Sequence, residues 1–116
     1  MNQEIKDQDY RVVWTPETAT LVLQGTLRLL GPKEYAPIAH LLDEAAQCSE
    51  QITLDLQGLH FLNSAGINLI YRFIIRARDE FHQEQVVVRG SPQVAWQGKS
   101  LENMQNLMPT LQLEWV

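Results

Sequence analysis

The feature that most constrains this chain is a long amphipathic run set between two short apolar strands. From Ser64 to about Phe81, the residues Ile67, Ile70, Tyr71, Ile74, Ala77 and Phe81 recur at helical spacing, while Asn68, Arg72, Asp79 and Gln83 fall on the opposite side. Before it, Gln51-Ile-Thr-Leu-Asp-Leu56 places Ile52, Leu54 and Leu56 on one face of a strand, and after it Gln85 to Arg89 is a strong strand. A strand, a helix and a second strand in that order call for a parallel crossover, so the helix must lie across a sheet face.

The remaining segments extend that pattern. Val12 to Trp14 and Thr20 to Gln24 read as strands joined by the turn composition of Thr15-Pro16-Glu17, an N-terminal hairpin. After Gly31-Pro32, the residues Tyr35, Ile38, Leu41, Leu42, Ala45 and Cys48 mark a first amphipathic helix. Pro37 is tolerated there only in the first turn. In the tail, Ser91-Pro92 opens a helical pattern that Gly98 interrupts before Leu101, Met104, Leu107 and Met108 resume it, which predicts a broken or kinked third helix. Leu111 to Trp115 closes the chain as an edge strand. The expectation is one α/β domain over residues 1–116, with a mixed four- to five-stranded sheet and helices mainly on one face.

Charge and cysteine content narrow the function. The net charge of −5 arises from 9 basic and 14 acidic residues without a basic run, which argues against nucleic acid or an anionic membrane as partner. The N-terminus from Met1 to Tyr10 is polar, and no stretch approaches the roughly 20 apolar residues of a membrane span, so the reading is cytoplasmic. Cys48 is alone, which fits a reducing compartment, and its helical position predicts a small buried residue. His40, His60 and His82 lie in different segments without ligand-like spacing, and no metal or cofactor is called for. The tryptophans Trp14, Trp96 and Trp115 read mainly as core or edge packing, with Trp96 the one a displayed role would suit.

Two motif matches fail. Leu62-Asn-Ser-Ala-Gly66 resembles a nucleophile elbow, but Leu62 stands where the first glycine must relieve strain, and no base and acid are spaced to complete a triad. Gly98-Lys-Ser100 ends like a phosphate loop, yet Gln93 stands at the required upstream glycine. The chain reads as non-enzymatic. What remains is the junction Leu59-His-Phe-Leu-Asn-Ser-Ala-Gly66, which delivers Asn63 and Ser64 to a helix start. Either residue is placed to cap, a contribution of about 1 kcal/mol. Alternatively, the unpaired N–H groups and helix dipole there favour a phosphate, so that a phosphoserine adding roughly −1.5 to −2 charges acts as an electrostatic switch.

Four stretches together resemble the STAS domains of bacterial anti-sigma factor antagonists: Gly25-Thr-Leu-Arg28, Ala36-Pro37, Leu54-Asp-Leu56 and Phe61-Leu-Asn-Ser-Ala-Gly-Ile67. Their order runs across nearly the whole chain. The resemblance implies a STAS fold and partner switching, with a GHKL-type serine kinase that is also an anti-sigma factor as the partner and a PP2C-type phosphatase reversing it. It places the phosphoacceptor at Ser64 and the docking surface at Thr26, Arg28, Asn63, Ser64, Gly66, Asn68, Leu69 and Arg72. Asn63 replaces the family's usual aspartate, which favours a constitutive scaffold or adaptor in which Ser64 is only a cap. Arg28 replaces a usual acidic residue, Thr26 a common glutamate, and Arg28 is positioned to pair with a phosphate on Ser64. Leu69 and Phe73 fall between the apolar stripe and the wet face, as core residues or as an interface anchor. A small-ligand-sensing module is a third reading, and exposed sheet edges leave a homodimer conceivable.

Overall fold

A computed structural model describes residues 3–81, 83 and 85–116. His82, one of the three histidines considered above, lies outside the described residues, as do Met1, Asn2 and Glu84. The elements are β1 (Gln3–Lys6), β2 (Tyr10–Thr15), β3 (Thr20–Leu27), α1 (Pro32–Cys48), β4 (Gln51–Asp55), β5 (Leu59–Leu62), α2 (Ser64–Asp79), β6 (Gln85–Gly90), α3 (Gln97–Leu107) and β7 (Gln112–Trp115). They form one mixed seven-stranded sheet in the order β1-β2-β3-β4-β6-β7, with β5 also paired to β3. The first three strands are antiparallel. From β3 onward every pairing is parallel, through crossovers that contain the helices.

Strand alternation decides where the core sits. Trp14 pairs with Leu21 and Val12 with Leu23, Leu21 pairs with Leu54, and Ile52 and Leu54 pair with Val86 and Val88. These residues make one continuous face, buried throughout. Their neighbours Val13, Val22 and Thr53 point the other way and stay half-exposed. The helices supply Tyr35, Ile38, Leu42, Ile70, Phe73, Ile74, Leu101 and Met104 to the same core. Burying each large aliphatic or aromatic side chain is worth about 1.5–3 kcal/mol, so the helix stripes hold the layers together. Phe73, which the periodicity left between core and surface, is fully buried.

The strand count exceeds the expected four or five for two physical reasons. β1 carries exposed Gln3, Glu4 and Lys6 around a single half-buried Ile5, so it shows no apolar alternation and is held by backbone pairing to β2 and by Ile5 packing on the core. β5 is only four residues long and runs on from β4 along the same neighbour: β3 pairs through Thr20–Val22 with β4 and through Gly25–Leu27 with β5. The register shifts between Gly25 and Thr26. Gly25 makes that shift with φ at 91°, and a side chain there would meet the Asp9 carbonyl oxygen at 2.2 Å.

Several local expectations are corrected. α3 is not kinked: residues 91–96 form turns and the helix begins at Gln97, with Gly98 in its first turn. Pro37 lies in the second turn of α1 and is exposed, so the helix continues past it without that N–H. Cys48 is the last residue of α1 and is exposed. Gln83, expected in water, is buried, and its Nε2 donates to the Ala46 and Ser49 carbonyls beyond the end of α2. Trp14 is core, Trp115 is exposed, and half-buried Trp96 donates from Nε1 to the Leu59 carbonyl at 2.8 Å, tying the segment before α3 to β5. Among the described residues, no helix is long and apolar enough to cross a membrane.

Candidate functional site

The parallel pairing of β3 and β5 brings two chain turns to one end of the sheet. Leu27 stands opposite Leu62, and the Asn63 N–H donates to the Leu27 carbonyl at 3.1 Å. The β3–α1 loop, Arg28 to Gly31, therefore lies beside the start of α2. Carboxyl ends of parallel strands are where loops of α/β sheets assemble binding sites.

Asn63 organises the junction. It is the N-cap of α2, with extended backbone and a side-chain Oδ1 that accepts from the Gly66 N–H at 3.0 Å. The same oxygen accepts from the Tyr35 hydroxyl at 2.7 Å, and Asn63 Nδ2 donates to the Leu29 carbonyl at 2.8 Å. One side chain thus pins α1, α2 and the β3–α1 loop together. Burial holds the Tyr35 phenol above its ordinary pKa, a rise that a hydrogen bond with the Leu29 backbone partly offsets.

Ser64 is the first residue of α2 and is exposed. It takes no part in the cap, and its hydroxyl has no hydrogen-bond partner among the described residues. The choice between the two capping residues is settled in favour of Asn63. Gly66, assigned by resemblance to the docking surface, is buried: a side chain there would fall 2.3 Å from Leu62 Cδ1 and 2.7 Å from the Tyr35 hydroxyl. Its role is close packing of α2 against α1 and β5.

The other site residues fall into two groups. Asn68 and Arg72 are exposed on α2, and with half-buried Leu69 they border a trough of about 260 Å³ whose opposite wall is Pro32, Tyr35 and Ala39 of α1. Thr26 and Arg28 border a separate shallow depression with Asp7, Asp9 and Tyr10. The Arg28 guanidinium lies over the Phe61 ring, 4.8 Å from its centroid. Two features went unread in the sequence: Leu30, next to the Leu29 carbonyl that Asn63 holds, is 91% exposed, and Phe61, two residues before Asn63, is 39% exposed. An apolar residue just before Gly31-Pro32, inside loop composition, was the available sign for Leu30.

This architecture is the STAS-like α/β fold. Three solved structures from Pseudomonas aeruginosa share it: apo-SiaC, with TM-score 0.72 and 13% identity over 99% of this chain and 98% of that one; a chain of the diguanylate cyclase SiaD in complex with its activator SiaC, with TM-score 0.71 and 12% identity over 98% and 99%; and a further structure of SiaC, with TM-score 0.68 and 14% identity over 100% and 96%. No family model and no curated protein matches the sequence. The expected GHKL-type kinase and PP2C-type phosphatase partners are overturned by this comparison: SiaC, which shares the fold end to end, is the activator bound to a diguanylate cyclase. A fold does not by itself specify the partner.

Proposed function

We propose that this chain is a non-catalytic adaptor that docks to a signalling protein through the face around Ser64 and alters that protein's activity. The observation that carries the reading is the separation of labour at the helix start: Asn63 does the capping, Ser64 stands exposed and unbonded, and the two segments that meet at Asn63 display Leu30 and Phe61. Exposed apolar side chains on a backbone held by hydrogen bonds are the material of binding hot spots. With nothing holding its proton, Ser64 is a surface group and not an activated nucleophile. The likeness to SiaC, described as the activator of SiaD, supports an enzyme such as a diguanylate cyclase as the class of target.

Modification of Ser64 is the control this geometry suits. A phosphate there meets the free N–H groups and positive dipole of α2 without disturbing the Asn63 cap. It also places about two negative charges in the middle of the docking face. Thr26, Arg28, Asn68, Leu69 and Arg72 are the surrounding contacts in this reading.

The test is intact-mass measurement and affinity capture from the chain's own cells, with wild type beside Ser64→Glu and Leu30→Asp. Retention of a signalling enzyme by wild type, its loss from both variants and a change in that enzyme's turnover when the chain is added are the expected results. Equal retention by all three places the interface elsewhere. A phosphate adduct absent from Ser64→Ala supports the switch, and capture that depends on Ser64 without any adduct supports a constitutive adaptor.

A further inference from the structure

We propose that the trough between α1 and α2 is the seat of one amphipathic helix of the partner, held by apolar contacts along its floor and by a single carboxylate on Arg72. This rests on the docking role proposed above and adds the occupant.

The wall supplied by α2 is periodic. Ala65, Leu69, Arg72 and Arg76 line it with Asn68, a continuous row of positions three and four apart. From Ala65 to Arg76 the row spans about 16 Å, roughly three turns of a helix laid alongside. Ala65 and Ala39 keep the floor low enough for a backbone to come close, and half-buried Leu69 offers apolar surface. A volume of about 260 Å³ falls below the roughly 300–1,000 Å³ usual for enclosed small-molecule sites, so the trough suits a few side chains of a segment laid along it better than a whole compact ligand.

Charge selects the segment. Arg76 is spoken for by Asp43, Nη2 to Oδ1 at 2.8 Å. Arg72, one turn nearer Ser64, is exposed and has no acceptor among the described residues. One added carboxylate balances the exposed Arg72. The occupant is not strongly acidic, because the chain carries −5 overall.

The experiment installs a photo-crosslinking amino acid at Asn68 in the trough, at Phe61 on β5 and, as a control, at Glu102 on α3, in cells of the native host. The expected result is an adduct from position 68 whose sequenced partner peptide has apolar residues at helical spacing and an Asp or Glu beside them. Arg72→Glu lowers its yield about tenfold, and changing that partner carboxylate to Lys restores it. An adduct from position 61 but not 68 overturns the trough and leaves the docking role standing. An adduct from 68 to a second copy of this chain, or to a segment without a carboxylate, overturns the occupant. No adduct from either position, with helical circular dichroism intact, removes the docking role and the trough together.

Discussion

The Tyr35 hydroxyl donates to Asn63 Oδ1 at 2.7 Å, joining the first turn of α1 to the cap of α2. The other end of the same amide donates to the Leu29 carbonyl at 2.8 Å. Position 63 therefore needs an acceptor on one side and a donor on the other. An ionised aspartate accepts only, which gives a structural reason for asparagine where the resembled family usually has the acid.

Replacing Asn63 by Asp keeps the bonds from Gly66 and Tyr35 but turns a carboxylate oxygen toward the Leu29 carbonyl. We expect a loss of about 1–2 kcal/mol at neutral pH, and a larger loss of about 2–4 kcal/mol for Asn63→Ala, which removes both the cap and the acceptor of the Tyr35 hydroxyl proton. Urea unfolding followed by circular dichroism checks the order. Equal stability for Asn63→Asp and wild type contradicts the donor requirement.

Two glycines should respond in opposite directions to alanine. Gly66→Ala drives a methyl into Leu62 and the Tyr35 hydroxyl and should cost about 1–3 kcal/mol. Gly98→Ala, in the first turn of α3 with no heavy atom within 4 Å, should be neutral or gain up to about 1 kcal/mol. Thermal melts of the two variants side by side decide it.

The elevated Tyr35 phenol pKa links stability to alkaline pH. Its folded value lies above the ordinary 10.0, so the neutral form is favoured in the folded state. That contribution is fully present below the unfolded value and is lost as pH rises through the folded one, because the unfolded chain ionises first. Unfolding free energy should therefore fall above about pH 10, and Tyr35→Phe should flatten that fall. Tyrosinate absorbance during a base titration should also lose its component above the ordinary value in this variant.

Leu30→Asp and Phe73→Ala separate surface from core. Leu30 is 91% exposed and Phe73 fully buried. The first should leave stability within about 0.5 kcal/mol while weakening capture of the partner. The second should cost about 3–5 kcal/mol. A large destabilisation from Leu30→Asp shows that the loop depends on that side chain and removes it as a docking anchor.

Cys48 gives a check on the end of α1. An exposed thiol reacts with Ellman's reagent in the native state about as fast as in denaturant. Protection until denaturant is added means that the residue is buried after all.

What could be read from residue order was whatever has a period or a local signature. The α2 stripe, the alternation of Ile52 and Leu54, the Gly31-Pro32 start and the serine junction each repeat or terminate within a few residues, so the α/β fold and the importance of the Ser64 region were legible. β1 and β5 were not, because one carries a single apolar residue, Ile5, too few for an alternation, and the other is set by a partner strand more than thirty positions away. Gln83 looked like a solvent-facing residue until the chain's reversal after α2 placed it against the Ala46 and Ser49 carbonyls. The roles of Asn63 and Ser64 were likewise undecided, since both have the chemistry of a cap. Tertiary structure decided between them: the Tyr35 hydroxyl and the Leu29 carbonyl, 28 and 34 residues away, claim both ends of the Asn63 amide and leave Ser64 facing solvent.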